Sequence, residues 1–364
     1  MKILYLITGL GGGGAEKIVA NLADEIHKRG HYVKIAFLKG EIIVYPNSKD
    51  IEIIYLGLEA PTDINRAFTK YKQLLIDFVP DVVHSHMVHA NIFSRVCRIF
   101  FSVKKLICSA HSNNEGGGFR MLAYRLTHNL SELTTNVSKS AAESFIKHKA
   151  VPVNGILTVY NGIDLNIFKE INHYDLKGNI GLSIDTKIFI AVGRFHDAKD
   201  YPNLIQAYSL LLRESNNLNI ALQIVGQTDD LIYLDIKKLI ATHNLEDKVN
   251  IMGRQDNIPE LLSKADFLVL SSKYEGLPTV VIEAMASGCF VIATDCGGTA
   301  EIMGDTGILV RPQDSQALAQ AMQQALSLTD EQISSNNIRA RKRIEELFSL
   351  EKSVEKWLEI YEAK

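Results

Sequence analysis

Long apolar runs, paired cysteines and strong charge are all missing from this chain, and each gap closes off a class of protein. The longest apolar stretches, FLVLSS and FVIAT, are strand-sized and fall well short of the ~20 residues that cross a bilayer, so no membrane span is expected. Four cysteines, Cys97, Cys108, Cys289 and Cys296, show no C-x-x-C spacing and sit inside strand or helix patterns, which points to buried reduced thiols rather than disulfides or metal ligands. Only eight prolines occur in 364 residues that are 46% apolar and 22% charged, a composition that excludes a disordered chain. No D-x-D tripeptide occurs. The net charge of −3, with no groove-reading motif, argues against nucleic acid. The opening MKILYLITGL carries a lysine and a short apolar run like a secretory leader, but Glu16 and Lys17 follow directly. It reads as a first strand, and the expected location is cytoplasmic.

What is present is length and alternation. A chain of 364 residues is too long for one ordinary core and implies two domains. Strands are expected near 2–8, 32–38, 52–56, 81–85, 106–110, 133–137 and 156–159, with helices between several of them. The pattern restarts with strands near 187–193, 219–225, 249–252, 267–271, 290–293 and 307–310, separated by helices near 201–214, 230–244, 258–264, 278–287 and 314–328. Strands with helical crossovers imply parallel sheets covered on both faces, hence two doubly wound α/β domains. The polar stretch at 168–183 is the expected junction, and from about 330 onward the pattern is helical only. Charge divides unevenly: residues 1–170 hold 20 Lys and Arg against 15 Asp and Glu. Part of that surplus, Arg95, Arg98, Lys104 and Lys105, surrounds the apolar IFFSV, followed by Arg120 and Arg125. Either a solvated face or a surface for anionic lipid or an anionic acceptor would account for it.

Two segments carry chemistry. Gly9, Gly11 and Gly14 spell G-x-G-x-x-G between a strand and a helix, the spacing of a dinucleotide turn. That fold also needs a carboxylate ending its second strand, and here YVKIAFLKG ends in Lys39. The turn therefore reads as a place where backbone approaches some other small or anionic group. The second segment is SSKYEGLPTVVIEAMASGCFVIATDCGG, residues 271–298. A strand delivers Glu275 and Gly276, Pro278 suits the first helical position, and the helix runs on to Gly288. The amides of Gly276, Leu277 and Thr279 would form an anion site suited to a diphosphate. Glu283, one turn along the helix, and Glu275, before it, would flank that anion. A capping acid and a solvated helix residue are the plainer alternatives, although the rest of the helix is apolar.

EGLPTVVIEAMASG, with its E-x7-E pair Glu275 and Glu283, followed by GG-T-AEI and GILV, closely resembles the retaining nucleotide-sugar glycosyltransferases of family GT4. The resemblance covers nearly the whole chain through VGRFHDAKDYPNLIQAY, QIVGQ, NVSKSAAE, VYNGIDLNIF and GLGGGGAE. It implies a GT-B fold, two Rossmann-like domains facing each other across a cleft. Residues 1–170 would form the acceptor-side domain and 171–345 the nucleotide-sugar domain, with a C-terminal helix in 346–364 packing back on the first. It also implies roles: Glu283 on the ribose hydroxyls, Glu275 on donor-sugar hydroxyls, and Arg194 and Lys199 on the diphosphate. Arg254 would stack on the base, His111 would lie near the reacting carbon, and Gly226 would end a strand in the donor site. Gly11, Gly12, Gly13 and Gly14 would face the donor, where side chains would obstruct it. A surface pair beside a strand end is the alternative for Arg194 and Lys199, a structural imidazole for His111 and an idle surface residue for Arg254. The implied reaction moves a sugar from a nucleotide-diphosphate sugar, UDP before GDP, to a glycan or lipid-diphosphate-linked acceptor in bacterial surface polysaccharide synthesis. It implies peripheral association with an anionic membrane at the inner face of the cytoplasmic membrane. No cofactor or metal is expected, because Arg194, Lys199 and the helix start supply positive potential. A sugar-nucleotide epimerase, a phosphorylase of the same architecture, or a non-catalytic nucleotide-sugar binding protein remain the alternatives.

Overall fold

The computed structural model describes residues 1–113, 115–171, 173–214, 218–228 and 231–363. The chain divides into two compact units, Met1–Gly162 with Leu350–Lys364, and Ile163–Ser349.

The first unit is built on seven parallel strands, β1 (Lys2–Ile7), β2 (Tyr32–Phe37), β3 (Glu52–Tyr55), β4 (Val82–His86), β5 (Leu106–Ala110), β6 (Leu133–Asn136) and β7 (Leu157–Thr158). They lie in the order β3-β2-β1-β4-β5-β6-β7. The direction of winding reverses between β1 and β4, which makes their carboxyl ends the switch point where such sheets bind ligands. β1 shows why these strands read as continuous apolar runs. Ile3, Tyr5 and Ile7 enter one hydrophobic cluster, whereas Leu4 and Leu6 enter another on the opposite face. The C-terminal helix Leu350–Glu362 covers the first of these faces with Val354, Trp357 and Tyr361.

The second unit holds six parallel strands, β8 (Lys187–Val192), β9 (Ile220–Val225), β10 (Val249–Gly253), β11 (Phe267–Leu270), β12 (Phe290–Thr294) and β13 (Ile308–Val310), in the order β10-β9-β8-β11-β12-β13. Its winding reverses between β8 and β11. The polar stretch 168–183 belongs to this unit rather than joining two domains. Arg341 Nη1 donates to the Phe168 carbonyl at 2.7 Å, the Ile171 amide to Ser263 Oγ at 2.6 Å, and Asn257 to the Tyr174 hydroxyl at 3.1 Å. A short helix, Thr299–Met303, lies between β12 and β13 where no helix was expected.

Candidate functional site

In the second unit, residues flagged by the sequence gather at the carboxyl ends of the strands. Glycine ends or follows three neighbouring strands, β10, β9 and β8. The Gly193 amide, after β8, donates to the Val225 carbonyl at 2.9 Å, and the Gly226 amide, after β9, donates to the Gly253 carbonyl at 3.0 Å. A Cβ on Gly226 would collide with the Gly193 carbonyl oxygen. A Cβ on Gly193 would press on the Lys199 side chain, 2.8 Å from its Cε. These positions leave the strand ends bare and let Lys199 lie across one of them.

The loop after β11 is tied to the loop after β8 along its length. The Lys273 amide donates to the Ala198 carbonyl at 2.8 Å, and the Ser271 hydroxyl donates to the Lys199 carbonyl at 2.8 Å. Lys199 Nζ and the Ser272 hydroxyl each donate to Glu275 Oε1 at 2.7 Å. Both charged side chains are largely covered, at 21% and 16% exposed. An ammonium has three donors, so the bond to Glu275 fixes the position of Lys199 while using one of them. From the other side, Gly297 at φ +58° fits against the Glu275 peptide where a Cβ would clash, and the Gly298 amide donates to the Gly276 carbonyl at 2.9 Å.

The helix beyond this loop differs from expectation at both ends, running Thr279–Ala286. Pro278 is its cap, extended at ψ 99°, with its carbonyl accepting from the Val281 amide at 3.1 Å. Gly276 and Leu277 thus belong to the preceding turn, and Thr279 is the first helical residue. Glu283 lies four residues later, about 6 Å along the axis, the half-buried acid on a helix whose Val280, Val281, Ile282, Ala284 and Met285 are buried. Arg194 is exposed on the loop after β8. Arg254 is exposed after β10, with Asp256 at 3.8 Å. Three strand spacings of about 4.8 Å separate β10 from β11, so Arg254 and Glu275 bracket a ligand-sized length of sheet edge.

In the first unit, Gly11, Gly12, Gly13 and Gly14 cross the carboxyl end of β1 and begin the helix Gly14–Lys28, with Gly12 at φ +99° and Gly13 as its cap. The Ile43 and Val44 amides hold the turn through the Leu10 carbonyl at 2.9 and 3.0 Å. His111 follows β5. Its Nε2 meets His86 Nδ1 at 3.0 Å, and its amide donates to Glu115 Oε1 at 2.8 Å. Glu115 also accepts from the Val88 amide at 3.1 Å and so bridges two strand ends. Burial raises the Glu115 carboxyl above its ordinary pKa and pushes His111 down to about 4, so His111 is neutral at pH 7. Burial, then the neighbouring His84 and His111, hold His86 well below the usual range. His86 Nε2 is buried without a partner. An orphaned acceptor costs less than an orphaned donor, which favours His86 Nδ1–H donating to His111 and leaves His111 Nδ1 carrying the proton. His86, Glu115 and Ser272 were missed in the sequence. HSH in a strand was the available signal for His86, since residues two apart share a face.

The basic surplus around IFFSV is spent inside the unit. Arg95 is fully buried, donating to Thr134 at 2.6 Å and lying over the Tyr124 ring. Arg98 pairs with Glu132, Lys104 with Asp81 at 2.7 Å, and Lys105 with the carbonyls of Ile360 and Tyr361 at 3.0 and 3.1 Å. Each of these four has a partner within the unit, and Lys104 stays largely exposed in its pair. The four cysteines are free and buried. Among the described residues no helix is long and apolar enough to cross a membrane, and no group of three or more His, Cys, Asp or Glu is placed to hold a metal ion.

Comparison with known proteins adds the following. Residues 175–345 match the family model for glycosyl transferases group 1, and residues 12–167 match that for glycosyltransferase family 4. The chain is 34% identical over 236 residues to N-acetyl-alpha-D-glucosaminyl L-malate synthase of Bacillus anthracis, a match covering 64% of this chain and 59% of that protein. It is 26% identical over 354 residues to the Campylobacter jejuni N-acetylgalactosamine-N,N'-diacetylbacillosaminyl-diphospho-undecaprenol 4-alpha-N-acetylgalactosaminyltransferase, covering 89% of this chain and 90% of that one. The structure of Anabaena HepE in complex with UDP and glucose superposes with a TM-score of 0.83 at 19% identity, over 99% of both chains.

Proposed function

The chain belongs to the group 1 glycosyltransferases and has their two-domain α/β GT-B fold, and from that premise we propose that it moves a sugar, with retention, from a UDP-sugar to a hydroxyl of a glycan on a lipid-diphosphate carrier. The observation that carries the reading is the Lys199–Glu275–Ser272 cluster, locked by hydrogen bonds at bare strand ends beside the helix that bears Glu283. Lys199 and Arg194 bind the diphosphate and stabilise the charge that develops as the glycosidic bond breaks. Glu283 holds the ribose and Glu275 the sugar hydroxyls, while Arg254 stacks on the base. UDP is supported by its presence in HepE, and the lipid diphosphate by the name of the Campylobacter relative.

Retention follows a same-face path in which the departing phosphate oxygen takes the proton of the incoming hydroxyl. The protein contributes orientation and charge stabilisation. A double displacement would need a carboxylate nucleophile. Glu275 is engaged by Lys199, and the Glu115 carboxylate accepts two backbone amides. Neutral His111 is the donor near the reacting carbon. No resident metal enters this scheme.

UDP release from a UDP-sugar, followed with EDTA present, tests the reading. Lys199→Ala should lower turnover by about 10²-fold, the usual cost of one charge-stabilising donor. Glu283→Ala should raise the Kd for UDP by about tenfold or more. Full activity in both variants, or activity only with added metal, contradicts the scheme.

A further inference from the structure

The helix Val88–Cys97 lays apolar side chains along a groove, some of them, Phe93 and Cys97, also packed into the core. Val88, Ile92, Phe93, Val96 and Cys97, at spacings of three to five along it, form the floor of a groove of about 610 Å³. Phe68 and Phe100 line it further along, and Phe119 and Arg120 contribute from the helix Gly118–Thr127. A single Leu in the open is ordinary, but here Ile64, Val96, Phe100 and Phe119 all line the groove and are exposed, Phe119 at 85%. On the same helix Leu122 and Leu126 are exposed as well. An apolar patch of this kind marks a binding surface.

The two ends of the groove differ. The helix Val88–Cys97 follows β4 and runs back along the sheet, so its start lies at the strand carboxyl ends, where His86 and His111 are. That end is basic. Arg120 and His89 line it; partial burial, then Lys39 and Arg120, lower the His89 pKa, so the imidazole is neutral and Arg120 carries the charge there. The Val88 amide is already taken by Glu115, so an anion there would rest on these side chains. The other end opens about 14 Å further along, at the helix end Cys97, with Phe100 just beyond it. The Arg120 guanidinium and the His89 imidazole at the edge where the strands end, with hydrocarbon leading away from it, complement one kind of molecule, a diphosphate joined to a long apolar chain.

We propose that this groove receives the first part of the hydrocarbon chain of a lipid-diphosphate acceptor, with the diphosphate beside Arg120 and His89. The proposal rests on the reading that the acceptor is lipid-linked. Attachment is then by insertion of a chain rather than by the charges around IFFSV, which are paired within the protein.

Farnesyl diphosphate, inorganic diphosphate and farnesol, titrated calorimetrically into the full chain, test this. Val96→Glu and Phe100→Glu place a carboxylate on exposed positions of the lining, where neither should affect folding. Each should weaken farnesyl diphosphate at least tenfold and leave UDP affinity and melting temperature unchanged. Arg120→Gln should weaken farnesyl diphosphate while leaving farnesol unaffected. Equal affinity in wild type and both groove variants overturns the proposal, as does inorganic diphosphate binding as tightly as the farnesyl compound. A wild-type dimer that Val96→Glu dissociates also overturns it, since a second copy would then cover the groove. Loss of UDP binding in the wild type is a different failure, that of the donor reading.

Discussion

Single residues set limits that the sequence motif alone does not explain. Gly226 is a case: its Cβ would collide with the Gly193 carbonyl, which is backbone and cannot step aside as a side chain can. Gly226→Ala should cost ~1–3 kcal/mol, the usual range for overpacking, and equilibrium urea unfolding measures it. A loss below about 0.5 kcal/mol would mean that the two strand ends are not in contact. His111 makes a second prediction. Its pKa falls from 6.5 to about 4 on folding, so between these values the unfolded chain binds more protons than the folded one. Stability therefore falls as pH drops from 6.5 towards 4 and is unaffected by this group above 6.5. In melting curves across that window, His111→Gln should flatten the slope. Glu275, Lys199 and His111 could be singled out because family spacing marks them. Their partners could not: Ser272 and Glu115 lie three and four residues from Glu275 and His111 but carry no motif of their own, and His86 meets His111 only through the pairing of β4 with β5. Arg95 shows the reverse error: a basic residue in an exposed-looking cluster is fully buried over Tyr124.

Among the elements, strands were the most legible, since an apolar run bounded by polar residues has one reading when both sheet faces are covered. Helix ends were less so. Pro278 fits both the cap and the first turn, and only the extended ψ at that residue decides for the cap. The short helix Thr299–Met303 is too brief to show a period. The C-terminal helix gives the prediction at this scale. Tyr361 Oη lies 2.6 Å from His84 Nδ1 and 3.1 Å from Tyr5 Oη, and His84 Nε2 continues to Ser109 at 2.7 Å. Tyr361→Phe leaves buried His84 and Tyr5 each short of a partner, which costs about 1–3 kcal/mol. Trp357 stands against the His84 ring at 4.3 Å and, as the chain's one tryptophan, reports the change by fluorescence. An unaltered unfolding midpoint would show that water satisfies those groups instead.

For the whole molecule, the two units give separate signals. Trp357 belongs to the first unit, whereas the proposed nucleotide residues belong to the second. UDP at a hundred times its Kd should add ~2.7 kcal/mol to the unit that binds it. Circular dichroism, which sees both units, should then register a delayed transition that the tryptophan signal does not share. Equal shifts in both would place nucleotide contacts in the first unit too. The two α/β units were legible from the restart of the strand–helix alternation, but their limits, Gly162 with Ile163 and Ser349 with Leu350, were not, because no change of composition marks them.

The first unit is discontinuous, closing over Tyr5 and His84 only with residues 350–362. On the ribosome, the second unit emerges as one uninterrupted segment and can finish first, while the strands made earliest wait with one sheet face uncovered until the last helix is released. The order of synthesis is thus opposite to the order of completion, and a premature stop near residue 349 would spare the later-made half of the molecule and forfeit the earlier.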